Sequence, residues 1–150
     1  EEVFAWGEVH VQPELRELGD VDTAIITLRF ANGALGTIEN SRKAVYGYDQ
    51  RVEVFGSGGA VGADNETADR SWRYDGGGLR EPRPLYFFTE RYADAYVEEL
   101  RSFLSAIRND EEPEVGGKDG RIPVVVALAA KKSLREKRPV RISEIDRKLF

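Results

Sequence analysis

Tyr46 and Tyr48 flank Gly47 in the otherwise polar segment between Ser41 and Gln50. Tyrosine offers an apolar ring face and a phenol that both donates and accepts, a combination that fits a cyclic polyol. Residues two apart share one side of a regular strand. Gly47 can break that regularity and splay the two rings, one toward a ligand and the other toward a sheet. Packing of both rings is the alternative that the pattern leaves open.

Three other features invite chemistry. His10 is the single histidine, and proton transfer often recruits that residue. It lies in an alternating run with Trp6 and Glu8 and has no second ligand or nucleophile nearby, so a structural or interface role is expected. Glu39 falls in the middle of a strand-like run, where a buried carboxylate needs a partner; Arg42 or Arg51 can supply one. The glycine-rich stretch Gly56 to Gly62 fails the dinucleotide spacing, because G-x-G-x-x-G requires glycine at position 61, which is Val61. It also sits between two strand-like runs, not at a strand-to-helix turn.

Composition narrows the classes further. At 150 residues with 41% hydrophobic content, the chain is long enough for a folded core. Cysteine is absent, which excludes disulfides, thiolate metal sites and cysteine nucleophiles. The formal charge of −5 argues against nucleic acid as a partner. No apolar run of about 18 residues is present, so no membrane helix is expected. A cytoplasmic location is the expectation, and no metal site is assigned. The basic residues from Lys131 to Arg138 are read as a solvated helix face.

The elements that must position these residues are readable from their periods. Val3 to Val11 alternates as a strand, ended by Pro13, and Gln12 to Asp20 reads as a loop or a short helical turn. Val21–Ala31 and Ala34–Ser41 flank Asn32-Gly33, which predicts a hairpin with a two-residue type I′ turn. That register sets Phe30 opposite Leu35, Leu28 opposite Thr37 and Ile26 opposite Glu39. Ala24, Ile26, Leu28 and Phe30 share one face. A second hairpin joins Arg51–Phe55 to Ala60–Asp64, and Trp72 to Tyr74 adds a short strand. Loops are expected at Asp75 to Gly78 and at Glu81 to Pro84. A helix is predicted from Glu90 to Asn109 with Thr89 as N-cap and a stripe of Tyr92, Tyr96, Leu100, Phe103, Leu104 and Ile107. A second runs from Asp119 to Lys137, its stripe formed by Ile122, Val125, Val126, Ala129 and Ser133, with Pro123 in its first turn. Pro139 to Ile142 returns as a strand. Strands followed by helices predict a single α+β domain: an open, largely antiparallel sheet with helices packed on one face.

The order and spacing of several segments resemble one family. Asp20 to Ala24 with Leu28 to Gly36, Asn40-Ser41-Arg42 followed by Tyr46-Gly47-Tyr48-Asp49-Gln50-Arg51, Phe55-Gly56-Ser57 with Asp64-Asn65, Arg91-Tyr92 with Asp94-Ala95-Tyr96, and Asp119-Gly120-Arg121 through Arg138-Pro139-Val140 are similar to the C-terminal half of inositol 2-dehydrogenases, in the glucose–fructose oxidoreductase-like superfamily. The resemblance covers nearly the whole chain.

It implies a parent enzyme that oxidises a ring hydroxyl of myo-inositol to the ketone and passes hydride to NAD. NAD would sit in an N-terminal Rossmann domain absent from this chain. The family's catalytic lysine lies in a Glu-Lys-Pro-like motif, and its catalytic aspartate and histidine lie shortly before the point where this chain begins. No catalytic residue is therefore assigned here, no cofactor is expected on this chain, and the chain alone is expected to be inactive. The matching segment borders the sugar pocket, which makes Tyr48 the first substrate contact and Tyr46 the second. The resemblance also implies self-association through the sheet, as tetramers in the parent. Rival expectations are the same superfamily acting on another sugar or inositol isomer, and a non-catalytic stand-alone assembly module.

Overall fold

The computed structural model describes residues 1–149, with side chains through Asp146. They fall into two compact units, one of residues 1–43 with those from 112 onward, the other of residues 44–111.

The first unit is built on an antiparallel sheet of β1 (Glu2–Glu8), β2 (Thr23–Arg29), β3 (Leu35–Ser41) and the late strand β8 (Val140–Arg141), in the order β3-β2-β1-β8. A single 3-10 turn, Pro13–Arg16, follows β1. Two helices belong to the same unit, α3 (Gly117–Glu136) and α4 (Ser143–Leu149). Val3 and Ala5 on β1, Ala129 and Ala130 on α3 and Val140 on β8 form the buried centre, with Ile26, Leu28, Leu134 and Ile145 packed around it. The expected return strand thus pairs with the first strand, Val3 opposite Val140. Beyond that short pairing Ser133 of α3 takes over. Its hydroxyl accepts from the Ala5 N–H at 3.0 Å and donates to the Arg138 carbonyl at 2.7 Å. A buried backbone donor left unpaired would cost about 1–3 kcal/mol.

The β2–β3 hairpin forms where the turn residues place it, but one residue out of the expected register. Ile26 lies opposite Ile38 and Leu28 opposite Gly36. The loop has three residues: the Phe30 N–H donates to the Ala34 carbonyl at 2.9 Å, and only Gly33 takes a positive φ, +87°. This is a turn closed by a left-handed glycine, not the type I′ turn, which needs two positive φ values. Because side chains alternate, a slip of one residue inverts β3. Gly36 and Ile38 turn to the helix-covered face, and Glu39 turns to the open face opposite Ile25. Glu39 is exposed, and its two expected partners are engaged elsewhere: Arg42 on Gln12 and Arg51 on Asp49. The β2 faces are as expected, with Ala24, Ile26 and Leu28 half-buried and Ile25, Thr27 and Arg29 exposed. On α3, Val125, Ala129 and Ser133 are buried while Ile122 is exposed. The helix begins two residues earlier than expected, so Pro123 lies beyond the first turn, where it has no N–H for the Asp119 carbonyl.

The second unit holds two hairpins and two helices. β4 (Val52–Gly56) pairs with β5 (Gly59–Ala63) around Ser57-Gly58, a tighter turn than expected. β6 (Arg73–Asp75) pairs with β7 (Gly78–Arg80), so the segment from Asp75 to Gly78 is a hairpin turn and not a loop; Asp75 Oδ1 accepts from the Gly77 N–H. The single predicted helix is two, α1 (Phe88–Arg91) and α2 (Ala93–Asn109), broken at Tyr92 with φ −114° and ψ 18°. Thr89 therefore lies inside α1, and Phe87 takes the N-cap position. The stripe of Tyr96, Leu100, Phe103, Leu104 and Ile107 on α2 is exposed, although the helical period reads as a packing face.

Candidate functional site: the tyrosine segment

Residues 44–50 form no regular strand, and Gly47 shows why. Its φ is +143°, and a Cβ there would lie 2.7 Å from the Pro84 carbonyl oxygen. Only glycine lets the two segments approach this closely. The approach is fixed by backbone bonds: the Tyr48 N–H donates to the Leu85 carbonyl at 2.8 Å, and the Leu85 N–H donates to the Glu66 carbonyl at 2.9 Å.

The break sends the tyrosines to different partners. The Tyr46 hydroxyl donates to Asp49. Asp49 is a hub: Arg51 reaches both carboxylate oxygens, at 2.8 and 3.0 Å, and Asn65 Nδ2 donates at 2.7 Å. Asn65 Oδ1 in turn accepts from the Gln50 N–H at 2.8 Å. The Arg51 bonds, then those from Tyr46 and Asn65, hold the Asp49 carboxyl far below its ordinary range. The same bond to Asp49 raises the Tyr46 phenol, so it stays protonated. Tyr46 is thus committed to a carboxylate already carrying an arginine.

Tyr48 is half-buried and meets Tyr92 edge to face, with ring centroids 5.8 Å apart and planes at 88°. The Tyr92 hydroxyl donates to Gln50 Oε1. Burial raises the Tyr92 phenol, and the neighbouring Tyr48 phenol adds to the shift. Arg91 lies 5.2 Å from the Tyr92 ring centroid and 3.3 Å from Glu66. Two tyrosine hydroxyls framed by amide and guanidinium donors can hold several hydroxyls of a ring.

Sequence reasoning selected the two tyrosines and missed what fixes them. Asp49, Gln50 and Asn65 were legible only as parts of a resemblance. The spacing of Asp49 and Arg51, two apart beside a tyrosine, is the signal that could have marked the hub. Asp22 was missed too. It is buried, and burial works against its charge, yet its carboxylate accepts from the His10, Val11 and Gln12 N–H groups at 2.9, 2.7 and 2.8 Å. These bonds outweigh the burial and hold it far below the usual carboxylate range. His10 is exposed, lies beyond the end of β1 and contributes only its backbone donor. The basic stretch is also more engaged than a solvated face, since Lys132 and Arg138 both bond Glu144, at 2.7 Å each.

Among the described residues no group of three metal-ligating side chains is assembled. No helix among them is long and apolar enough to cross a membrane. The glycine-rich stretch does not form a dinucleotide-binding turn. Gly56 to Gly62 forms a β-hairpin and not a strand-to-helix turn, and the N-cap donor of α3 is taken by its own Asp119 at 2.8 Å.

An open antiparallel sheet covered by helices is the architecture of a domain seen in oxidoreductases. Residues 1–142 match the family model described as the oxidoreductase family, C-terminal alpha/beta domain, and the chain belongs to that family. It is 53% identical over 145 residues, 97% of this chain, to the myo-inositol 2-dehydrogenase of Thermotoga maritima, and 40% identical over 94% of the chain to the inositol 2-dehydrogenase of Rhizobium meliloti. It covers 43% of the length of each of these relatives. The crystal structure of a probable dehydrogenase from Thermotoga maritima superposes with a TM-score of 0.93, covering 97% of this chain and 44% of that one.

Proposed function

We propose that residues 1–150 form the substrate-side and assembly domain of an inositol 2-dehydrogenase, an enzyme that oxidises a ring hydroxyl of myo-inositol with hydride transfer to NAD. The observation that carries this reading is the 53% identity across nearly the whole chain to a myo-inositol 2-dehydrogenase. NAD as acceptor is supported by a Bacillus subtilis relative, 31% identical, named scyllo-inositol 2-dehydrogenase (NAD(+)). In this reading NAD itself is held by a preceding domain of the enzyme.

In this reading Tyr48 is the substrate contact, its ring packing on the polyol's C–H face and its phenol bonding a hydroxyl. Tyr46 is the weaker candidate, since its hydroxyl already serves Asp49. The open face of the sheet serves association with further copies of the chain. Trp6 lies there opposite Ile25, and Phe4 packs edge to face on Trp6 at 5.4 Å, leaving Trp6 62% exposed. The relatives include both myo- and scyllo-inositol enzymes, so the isomer is chosen by the experiment.

The test is NAD reduction by the full-length protein against a panel of inositol isomers and other sugars, with light scattering on the same sample. Turnover with myo-inositol, none from residues 1–150 alone, and an oligomer is the expected result. Turnover only with a non-inositol sugar would replace the substrate, and turnover by residues 1–150 alone would refute the division of labour.

A further inference from the structure

We propose that Tyr92, backed by Arg91, is the positioning residue that fixes the Tyr48 ring for a polyol substrate; the inference rests on the reading of Tyr48 as the substrate contact. Tyr92 belongs to the expected helical stripe by spacing, yet the chain breaks at it, and it is both the C-cap position of one helix and the N-cap position of the next. Its side chain serves Tyr48 in two ways. The ring meets Tyr48 edge to face, and the hydroxyl bonds Gln50, two residues further along the same segment.

Arg91 closes a circuit around this pair. Its guanidinium lies over the Tyr92 ring and pairs with Glu66, whose carbonyl receives the Leu85 N–H, while the Leu85 carbonyl receives the Tyr48 N–H. Tyr48 is therefore held through its backbone on one side and through its ring on the other, and both routes end at Arg91-Tyr92. Arg91 Nε is buried with no hydrogen-bond partner among the described residues. Hydrogen bonding alone would not select that placement, whereas the cation–π contact and the Glu66 pair do. A residue that only packed would not need the hydroxyl bond to Gln50.

The experiment is a double-mutant cycle on the full-length protein, reading KM and kcat for myo-inositol, KM for NAD and the thermal midpoint. Tyr92→Leu is expected to lower kcat/KM for myo-inositol about 3- to 10-fold, mostly through KM. KM for NAD stays unchanged, and Tyr92→Phe recovers most of the loss by restoring the ring. In a Tyr48→Leu background, Tyr92→Leu is expected to add nothing. Equal loss in both backgrounds, or no loss in either, would overturn the inference while leaving Tyr48 as the contact. An unchanged kcat/KM in Tyr48→Leu alone would overturn the reading beneath it, and this inference with it. Should Tyr92→Leu not fold, Tyr92→Phe carries the same cycle through the lost Gln50 bond, with a loss of about 2- to 3-fold that disappears without Tyr48.

Discussion

The two units of this chain hold themselves together by different means. Val3, Ala5, Val9, Val125, Ala129, Ala130 and Val140 are buried in the unit built on the four-stranded sheet, together with Asp22 and Ser133; in the unit of residues 44–111 only Ala106 is buried among the described residues. There Val52, Val54, Phe55 and Val61 of the β4–β5 hairpin are exposed, as is the apolar stripe of α2. What orders that unit's tyrosine segment is polar: the Asp49 hub, the Gln50–Tyr92 bond and the backbone ladder through Leu85 and Glu66. The lesson is that apolar burial and polar ordering reside in different parts of the chain. Apolar burial yields free energy with little demand on direction, whereas hydrogen bonds and a glycine at positive φ fix where a ring points.

Removing atoms from the two regions should separate them most sharply. Val140→Ala removes two methyl groups from a fully buried site and is expected to cost about 2–3 kcal/mol in urea unfolding. Phe55→Ala, at an exposed hairpin position, should stay within about 0.5 kcal/mol. Equal losses would show that the second unit has a core of its own.

Gly47→Ala inverts the contrast. A side chain at φ +143°, facing a carbonyl at 2.7 Å, carries about 1–3 kcal/mol of strain. If the segment relieves it by moving, kcat/KM of the full-length protein for the proposed polyol falls about 10- to 100-fold. The amide exchange of β1 and α3 stays unchanged.

Acid acts on both units with one sign. Asp22 and Glu144 in the first and Asp49 in the second have folded-state values well below their ordinary 3.8 and 4.5. Glu144 owes this first to the Arg138 bonds and then to Lys132. A lowered carboxyl stabilises fully above the unfolded value, and that stability is lost as pH falls toward the folded value. Unfolding midpoints should therefore be flat above about pH 5 and decline below about pH 4. Asp22→Asn flattens the decline for the sheet unit, and Asp49→Asn leaves that unit's decline in place.

The smallest effect comes from the helix ends. α2 and α3 end on left-handed residues that are not glycine, Asp110 and Lys137, both at φ 54°. Lys137→Gly should raise stability by about 1 kcal/mol, and Asp110→Gly by less, because aspartate tolerates that conformation better than lysine. Thermal unfolding of the two variants decides it.

Much of the frame was legible because its signals are local. The β2–β3 hairpin, the 3-10 turn after β1, the return strand at Val140 and the long helices follow from period, proline and turn glycines. Register was not legible. Asn32-Gly33 serves a two-residue or a three-residue loop, and that one residue decides whether Glu39 faces the core or the open side. The break at Tyr92 carries no proline or glycine to announce it. The helical period of α2 reports an apolar face but not what covers it. Within the site, Gly47 left two readings open, the two tyrosines parting or both packing. Their partners lie 3 to 44 residues away, at Asp49 and Tyr92, and pairing over such distances is a property of the fold.

Hydrogen exchange on the full-length protein, with and without myo-inositol and NAD, tests the central claim most directly. The account predicts slowed exchange in residues 44–50 and 85–92 on addition of polyol, with residues 2–8 and 125–133 already protected and unchanged. Slowing confined to β1, β2 and α3, with residues 44–50 unaffected, would contradict it.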